Sequence, residues 1–233
     1  MNRINYIRHE EKKYHDLCYE QYKLFETGSW LYKPVKTVMN LMNYFEGRNN
    51  LQVLDLGSGV GRNSIPLAQK IKNASGTVTC VDLLDSALTK LQIYSQEYDV
   101  FEVIKTEKAA IENYYIQPNT YDYIIAVSSL EHVQSEEDLK NVLHSMKKGT
   151  KIGGINCLII NSNIQEIDLH TNEELDALIE INLSTDKMIH LLKNIYEDWK
   201  EMKVEIKELA YDIVRNERHI LLKTNAITFF VQK

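Results

Sequence analysis

The chain reads as an α/β protein: a mostly parallel sheet with crossover helices, preceded by a helical cap and closed by an antiparallel hairpin. Three observations carry that expectation. After Gly47, short apolar runs alternate with amphipathic stretches, the pattern of a sheet covered by helices on both faces. The first apolar run ends in a cluster of glycines that opens a helix. The last two apolar runs are separated by too few residues to hold a crossover helix, and strands joined that closely must pair antiparallel.

From Asn2 to Phe25 the sequence is charged, rich in tyrosine and apolar at helical spacing. Thr27-Gly28-Ser29 interrupts it, and a second helical run follows from Lys33 to Tyr44. Residues 1–46 are therefore expected to form a helical cap, and residues 47–233 the main domain. Strands are expected at Gln52–Leu56, Thr77–Asp82, Phe101–Lys105, Tyr123–Val127 and Ile155–Ile160, with helices at Asn63–Ile71, Asp85–Tyr98 and Glu136–Lys147. A run such as Tyr123-Ile124-Ile125-Ala126-Val127 is apolar throughout because a central parallel strand is buried on both faces. Beyond Asn161 the alternation stops, and a polar stretch from about Asn172 to Trp199 reads as a helical insertion spanning roughly 162–200. Lys203–Ile213 and Ala226–Gln232 then form the hairpin.

Bulk properties narrow the function. With 33 acidic and 27 basic residues the formal charge is −6, so the field that phosphate backbones reward is missing and no nucleic-acid partner is expected. The amino terminus lacks a signal-peptide core and no apolar stretch approaches membrane-spanning length, which makes the cytoplasm the expected location and a membrane partner unexpected. Cys80 and Cys157 sit in apolar runs, as buried reduced thiols do. His9, His15 and Cys18 share one charged stretch without zinc-site spacing, so no metal is expected from them.

The chemistry is concentrated between Leu51 and Val133. In Val53-Leu54-Asp55-Leu56-Gly57-Ser58-Gly59-Val60-Gly61-Arg62-Asn63 three glycines occupy the turn between the first strand and the first helix of the main domain. Glycine there permits positive φ and lets a ligand approach the main chain. A dinucleotide fingerprint needs a glycine at position 62, where Arg62 stands. Asp55, two residues before the first glycine, suits an ammonium group better than a diphosphate. Asp82, at the end of the second strand, can accept hydrogen bonds from both hydroxyls of a ribose, and Leu83 beside it can pack on an adenine.

With these residues the chain resembles the class I S-adenosylmethionine (SAM)-dependent methyltransferases, whose Rossmann-like mixed sheet has seven strands and ends in an antiparallel hairpin. The tail, with Trp199 before one strand and Ile227-Thr228-Phe229-Phe230-Val231 closing the sheet, is similar to the small-molecule branch that includes tellurite-resistance methyltransferases. The resemblance implies that Gly57, Ser58, Gly59, Gly61 and Asn63 line the methionine part of SAM, that Asp82 holds the ribose, and that Ser128 and Ser129 lie beside the reacting methyl. The family's usual acid after the third strand is replaced by Ala110, so the backbone of Ala110 and Ile111 is expected to take the adenine, with Glu107 or Glu112 as substitutes.

SAM carries its own activation, so alignment can do most of the work and a general base is optional. Glu131 and His132 follow the fourth strand and are the candidates for that base. The fourth-strand end lacks the Pro-Pro-aromatic and Pro-Cys elements used on nucleic-acid bases, which leaves a small-molecule methyl acceptor as the expected partner. The acceptor's identity and the oligomeric state are open at this level. An NAD-dependent oxidoreductase and a non-catalytic SAM-binding protein are the alternatives. The segment Tyr19–Lys33 gathers aromatic residues about Gly28, and is expected to act as a lid in which Tyr22 and Trp30 offer ring faces to the sulfonium.

Overall fold

The computed structural model describes residues 2–215 and 218–233. Helix α1 (Arg3–Gln21) starts where the Asn2 side chain accepts a hydrogen bond from the Asn5 N–H at 2.8 Å, satisfying one of the free donors of the first turn. A 3₁₀ turn at Trp30–Tyr32 and the short α2 (Lys36–Leu41) complete the cap. The main domain then runs β1 (Gln52–Leu56), α3 (Ser64–Ile71), β2 (Thr77–Asp82), α4 (Asp85–Glu97), β3 (Ile104–Lys108), β4 (Tyr121–Val127) and α5 (Glu136–Gly149). It finishes with β5 (Thr150–Asp168), the two-residue β6 (Glu174–Leu175), α6 (Thr185–Ile195), β7 (Lys200–Arg215) and β8 (Arg218–Gln232). Helix α5 has Ser135 as N-cap, three acids in its first turn and two lysines in its last, each charge matched to the helix dipole.

The sheet order is β3-β2-β1-β4-β5-β8-β7, with β6 paired to β5 off that path. β3, β2, β1, β4 and β5 are parallel neighbours, while β8 runs antiparallel between β5 and β7. The expected terminal hairpin is therefore present, and its register runs out to Arg215 opposite Arg218. Alternate strand residues feed two cores. Val53, Val78, Cys80, Tyr123, Ile125 and Cys157 face the cap, α3 and α4. Leu54, Leu56, Val81, Ile124, Ala126, Leu158 and Phe229 face α5 and α6. Burial on both sides explains the continuous apolar runs.

Strand order reverses between β1 and β4, because the chain passes from β3 across the sheet to β4. Ligands of open α/β sheets bind in the crevice at such a switch point, at the carboxyl ends of the strands. The turns after β1 and β4 flank it here.

Two expected elements are corrected. The third strand starts at Ile104 rather than Phe101: Ile104 is the residue that pairs with Val78, and Phe101–Val103 form a 3₁₀ turn with Phe101 exposed. The helical insertion placed at 162–200 is only α6, and β5 continues to Asp168. Its far half pairs with β8 and buries Ser162, Glu166 and Asp168. Glu166 is neutralised by Arg215 Nη1 at 2.6 Å. Polar residues pointing inward hide the apolar alternation by which a strand is read.

Candidate active site

The turn after β1 is shaped by close approaches. Gly57 (φ 76°), Gly59 (φ 53°) and Gly61 (φ 94°) all have positive φ, a region that costs other residues strain. A Cβ on Gly57 would lie 2.3 Å from Ser129 Cβ, and one on Gly61 would lie 2.3 Å from Leu91 Cδ1. Both glycines therefore permit packing. A Cβ on Gly59 would meet only the Tyr19 hydroxyl, at 3.2 Å, so Gly59 turns its bare side to the crevice. Between them the Ser58 hydroxyl is buried and has no protein partner.

Asp82 clamps this turn to β2. Its Oδ2 accepts the Gly59 N–H at 2.8 Å and its Oδ1 accepts the Leu84 N–H at 2.9 Å. A carboxylate oxygen has two acceptor directions, so one remains on each oxygen for a pair of hydroxyls. Burial raises the Asp82 pKa, and the backbone N–H groups oppose that rise. Asp55 lies deeper, 1% exposed and accepting from the Ser64 hydroxyl. Burial first, and then the nearby Asp82, push its pKa up to about 7, against Ser64 and Arg62.

At the end of β4, Ser128 takes φ 50° and its N–H donates to Ile159 O at 2.7 Å. The Ser129 hydroxyl donates to Leu56 O at 2.7 Å, tying the two switch-point turns together. Glu131 is buried. Its Oε1 accepts from the Asn161 side-chain amide at 2.6 Å and from the Asn161 N–H at 3.2 Å, while Oε2 has no protein partner. Burial raises its pKa above the ordinary value.

His132 is not the free imidazole expected of a general base. Its Nδ1 lies 2.8 Å from Glu11 Oε1 and 3.1 Å from Glu180 Oε2. Burial pulls its pKa down, but Glu11, Glu180 and Glu131 outweigh that and hold it well above the usual value. A ring that already carries its proton binds carboxylates and takes no further proton.

The cap lies over the crevice. Helix α1 reaches from α4, where the Ser86 hydroxyl donates to Asp16, to the segment before α6, where Arg3 donates to Ala177 O at 2.9 Å and Ile179 O at 3.1 Å. Trp30 covers Arg62, whose guanidinium stands 5.0 Å from the ring centroid and donates to Trp30 O at 3.0 Å. Tyr22 is turned instead onto its own chain break, with its ring 3.1 Å from the Cβ position of Gly28. Asn63 is also committed structurally, since its Oδ1 accepts the Val35 N–H at 2.9 Å and anchors the approach to α2.

On the adenine side, Leu83 is 42% exposed. Ala110 begins a 3₁₀ turn at Ile111–Asn113, and Ile111 Cδ1 lies 3.7 Å from the Cβ position of Gly57. Glu112 is engaged by Arg8 at 2.7 Å, while Glu107 stands exposed on β3.

The structure adds residues that sequence spacing passed over. His15 packs beside Tyr19 and Trp30, with ring centroids 5.6 and 6.0 Å away, and its buried Nδ1 has no partner. Burial keeps its pKa below the ordinary value. Among the described residues, the buried side-chain atoms without partners are His15 Nδ1, Ser58 Oγ, Arg62 Nε and Glu131 Oε2. All four belong to the turns and the helix that bound this crevice.

Residues 53–154 match the family of methyltransferase domains. A search of curated proteins finds no match. Among solved structures, TehB from Haemophilus influenzae is 19% identical at a TM-score of 0.63, over 96% of this chain and 67% of that one. A SAM-dependent methyltransferase from Methanosarcina mazei is 14% identical at a TM-score of 0.60, over 86% and 98%. An N-methyltransferase from Haemonchus contortus, in complex with phosphomonomethylethanolamine and S-adenosylhomocysteine, is 13% identical at a TM-score of 0.64, over 96% and 58%. The terminal hairpin and Arg62 at the third-glycine position set aside the dinucleotide alternative. The matched methyltransferase domain spans the glycine turn, Asp82 and the β4 end, and the chain has the fold of these SAM-dependent methyltransferase structures.

Proposed function

We infer that this enzyme methylates a small-molecule acceptor in the crevice between the Gly57–Asn63 turn and the Ser128–His132 turn, beneath α1. The observation that carries this reading is the cover. Tyr19, His15 and Trp30 close over the glycine turn, and a crevice roofed in this way admits a small acceptor more readily than a macromolecular chain. The net charge of −6 agrees, since it offers no general attraction to nucleic acid. The Haemonchus contortus structure, with its small phosphorylated amine, supports the same class.

The chain's groups fit SAM. Asp82 has acceptor directions left for the ribose hydroxyls, the Ser58 hydroxyl and Gly59 face the methionine part, and the Ala110–Ile111 backbone borders the adenine. Asp55 balances the ammonium group through the turn. When bound, SAM supplies a methyl on a sulfonium, open to in-line displacement by the acceptor. Holding the acceptor on that line is what the protein contributes, a contribution on the order of 7–11 kcal/mol in well-oriented systems. Ser128, exposed at the end of β4, lies where an acceptor would sit. Glu131 Oε2 has no protein partner, and the pKa that burial raises suits it to take a proton from an acceptor N–H, O–H or S–H. His132 fastens α1. Trp30 and Tyr22 belong to the same lid, Trp30 over the crevice and Tyr22 at the Gly28 break.

Calorimetric titration with S-adenosylhomocysteine, followed by a screen of small amines, thiols and phenols for S-adenosylhomocysteine release from SAM, tests this. Binding with turnover on at least one small acceptor is the expected result. Turnover confined to protein or nucleic-acid substrates would refute it.

A further inference from the structure

Three side chains remote in sequence converge at the edge of the crevice. Glu11 comes from α1, His132 from the turn after β4, and Glu180 from the segment leading to α6. Their donor atoms all lie within 4.8 Å of one another, and His132 Nδ1 stands 2.8 and 3.1 Å from the two carboxylates. A ring nitrogen carries at most one hydrogen, so it cannot give each carboxylate a full hydrogen bond. Donor–donor edges around an ion bound at about 2.1 Å are about 3.0–3.4 Å; the 3.1 Å Glu180 contact falls in that range and the 2.8 Å Glu11 contact lies just below it.

The surroundings of the three donors set their orientation. His15 lies four residues after Glu11, one turn along the same face of α1. Its Nδ1 is buried without a partner, but its ring nitrogens lie outside the cluster of donors, so it borders the site without completing it. Glu180 is oriented as a ligand would be. While Oε2 faces His132, Oε1 accepts from Arg8 Nε at 3.4 Å, and Arg8 Nη2 is fixed by Glu112 at 2.7 Å. Outer partners of this kind aim metal-binding carboxylates.

We propose that Glu11, His132 and Glu180 bind one divalent first-row transition ion, its remaining positions filled by water, that fastens α1 across the crevice. Imidazole and carboxylate donors together suit Zn²⁺, Mn²⁺ or Fe²⁺ rather than Mg²⁺, which prefers all-oxygen shells. The ion would take the place of the proton that the two carboxylates share through His132. The site ties the cap to the main domain and does not depend on which acceptor is methylated.

The test is calorimetric titration of the chelator-treated full chain with Zn²⁺, with Mg²⁺ as the hard-ion control. One Zn²⁺ per chain is expected at micromolar affinity or tighter, with Mg²⁺ weaker by about 100-fold or more. Loss of a direct ligand should exceed the roughly 10–100-fold cost of losing an outer partner, so Glu11→Gln and Glu180→Gln should each weaken Zn²⁺ by about 100-fold. Glu11 is partly exposed on a helix, so Glu11→Gln removes charge without disturbing the core, and circular dichroism verifies that the variant is folded. Absence of Zn²⁺ binding to the wild type, or equal affinity in the wild type and Glu11→Gln, overturns the proposal.

Discussion

Asp55→Asn should remove most of a pH dependence of stability that one buried carboxyl imposes. Asp55 is 1% exposed in the middle of the sheet, opposite Cys80 and Ile125, and its pKa is raised to about 7 by burial and Asp82. In the unfolded chain the same group titrates near 3.9. The folded protein therefore holds this proton more tightly than the unfolded chain does. The stabilisation is complete below about pH 4 and is lost as pH rises through about 7. A shift of about three units at about 1.4 kcal/mol each makes the full loss about 4 kcal/mol. Asparagine keeps the shape and an oxygen for the Ser64 hydroxyl but has no proton to lose. Urea unfolding of both proteins between pH 5 and pH 8 measures the difference, in which contributions from other titrating groups cancel. The stability of Asp55→Asn relative to wild type should rise by about 2.5 kcal/mol across that range and level off above it. Parallel stability curves would refute the reasoning.

Asp82→Ala should weaken S-adenosylhomocysteine at least about tenfold in calorimetry, since hydrogen bonds to a charged acceptor contribute about 1.5–3 kcal/mol; unchanged affinity would remove Asp82 from the site. Gly59→Val should abolish cofactor binding in a chain that remains folded, because its side chain would enter the crevice. Gly61→Ala should instead lower the melting temperature, because the new methyl strikes Leu91 and Ile65 in the core. An interchange of those two phenotypes, read by equilibrium dialysis and thermal melts, would show that the crevice is misplaced. Limited proteolysis near Gly28 should slow when S-adenosylhomocysteine is added, and identical cleavage rates would show that the cap does not act as a lid.

The central parallel strands were legible because their residues obey one rule. The central strands β1 and β4 are buried on both faces or nearly so, and apolar runs of that length between amphipathic stretches have few other structural solutions; the edge strand β3, with no buried residue, is the one expected from Phe101 and found from Ile104. The glycine turn and Asp82 were legible for a related reason: backbone geometry and strand-end position are local, so spacing along the chain equals spacing in space. The far half of β5 was not legible. Its inward residues include Ser162, Glu166 and Asp168, and the partner that neutralises Glu166 is Arg215, 49 residues away.

The same distinction divides the site. Glu131 and His132 were recognisable as polar residues after a strand, but their roles depend on what faces them. Asn161 occupies one oxygen of Glu131 and leaves the other free. Glu11 and Glu180, from elements more than a hundred residues apart, turn His132 from a possible base into a held cation. His15 was visible only as one histidine in a charged helix, until folding buried it without a partner. The sequence by itself determined the central sheet, the glycine turn after its first strand and the hairpin that ends the fold, because periodicity and φ preferences act over neighbouring residues. Only the tertiary structure decided which ionisable groups keep, share or lose their protons, because Coulombic and desolvation energies depend on distances that chain order does not contain.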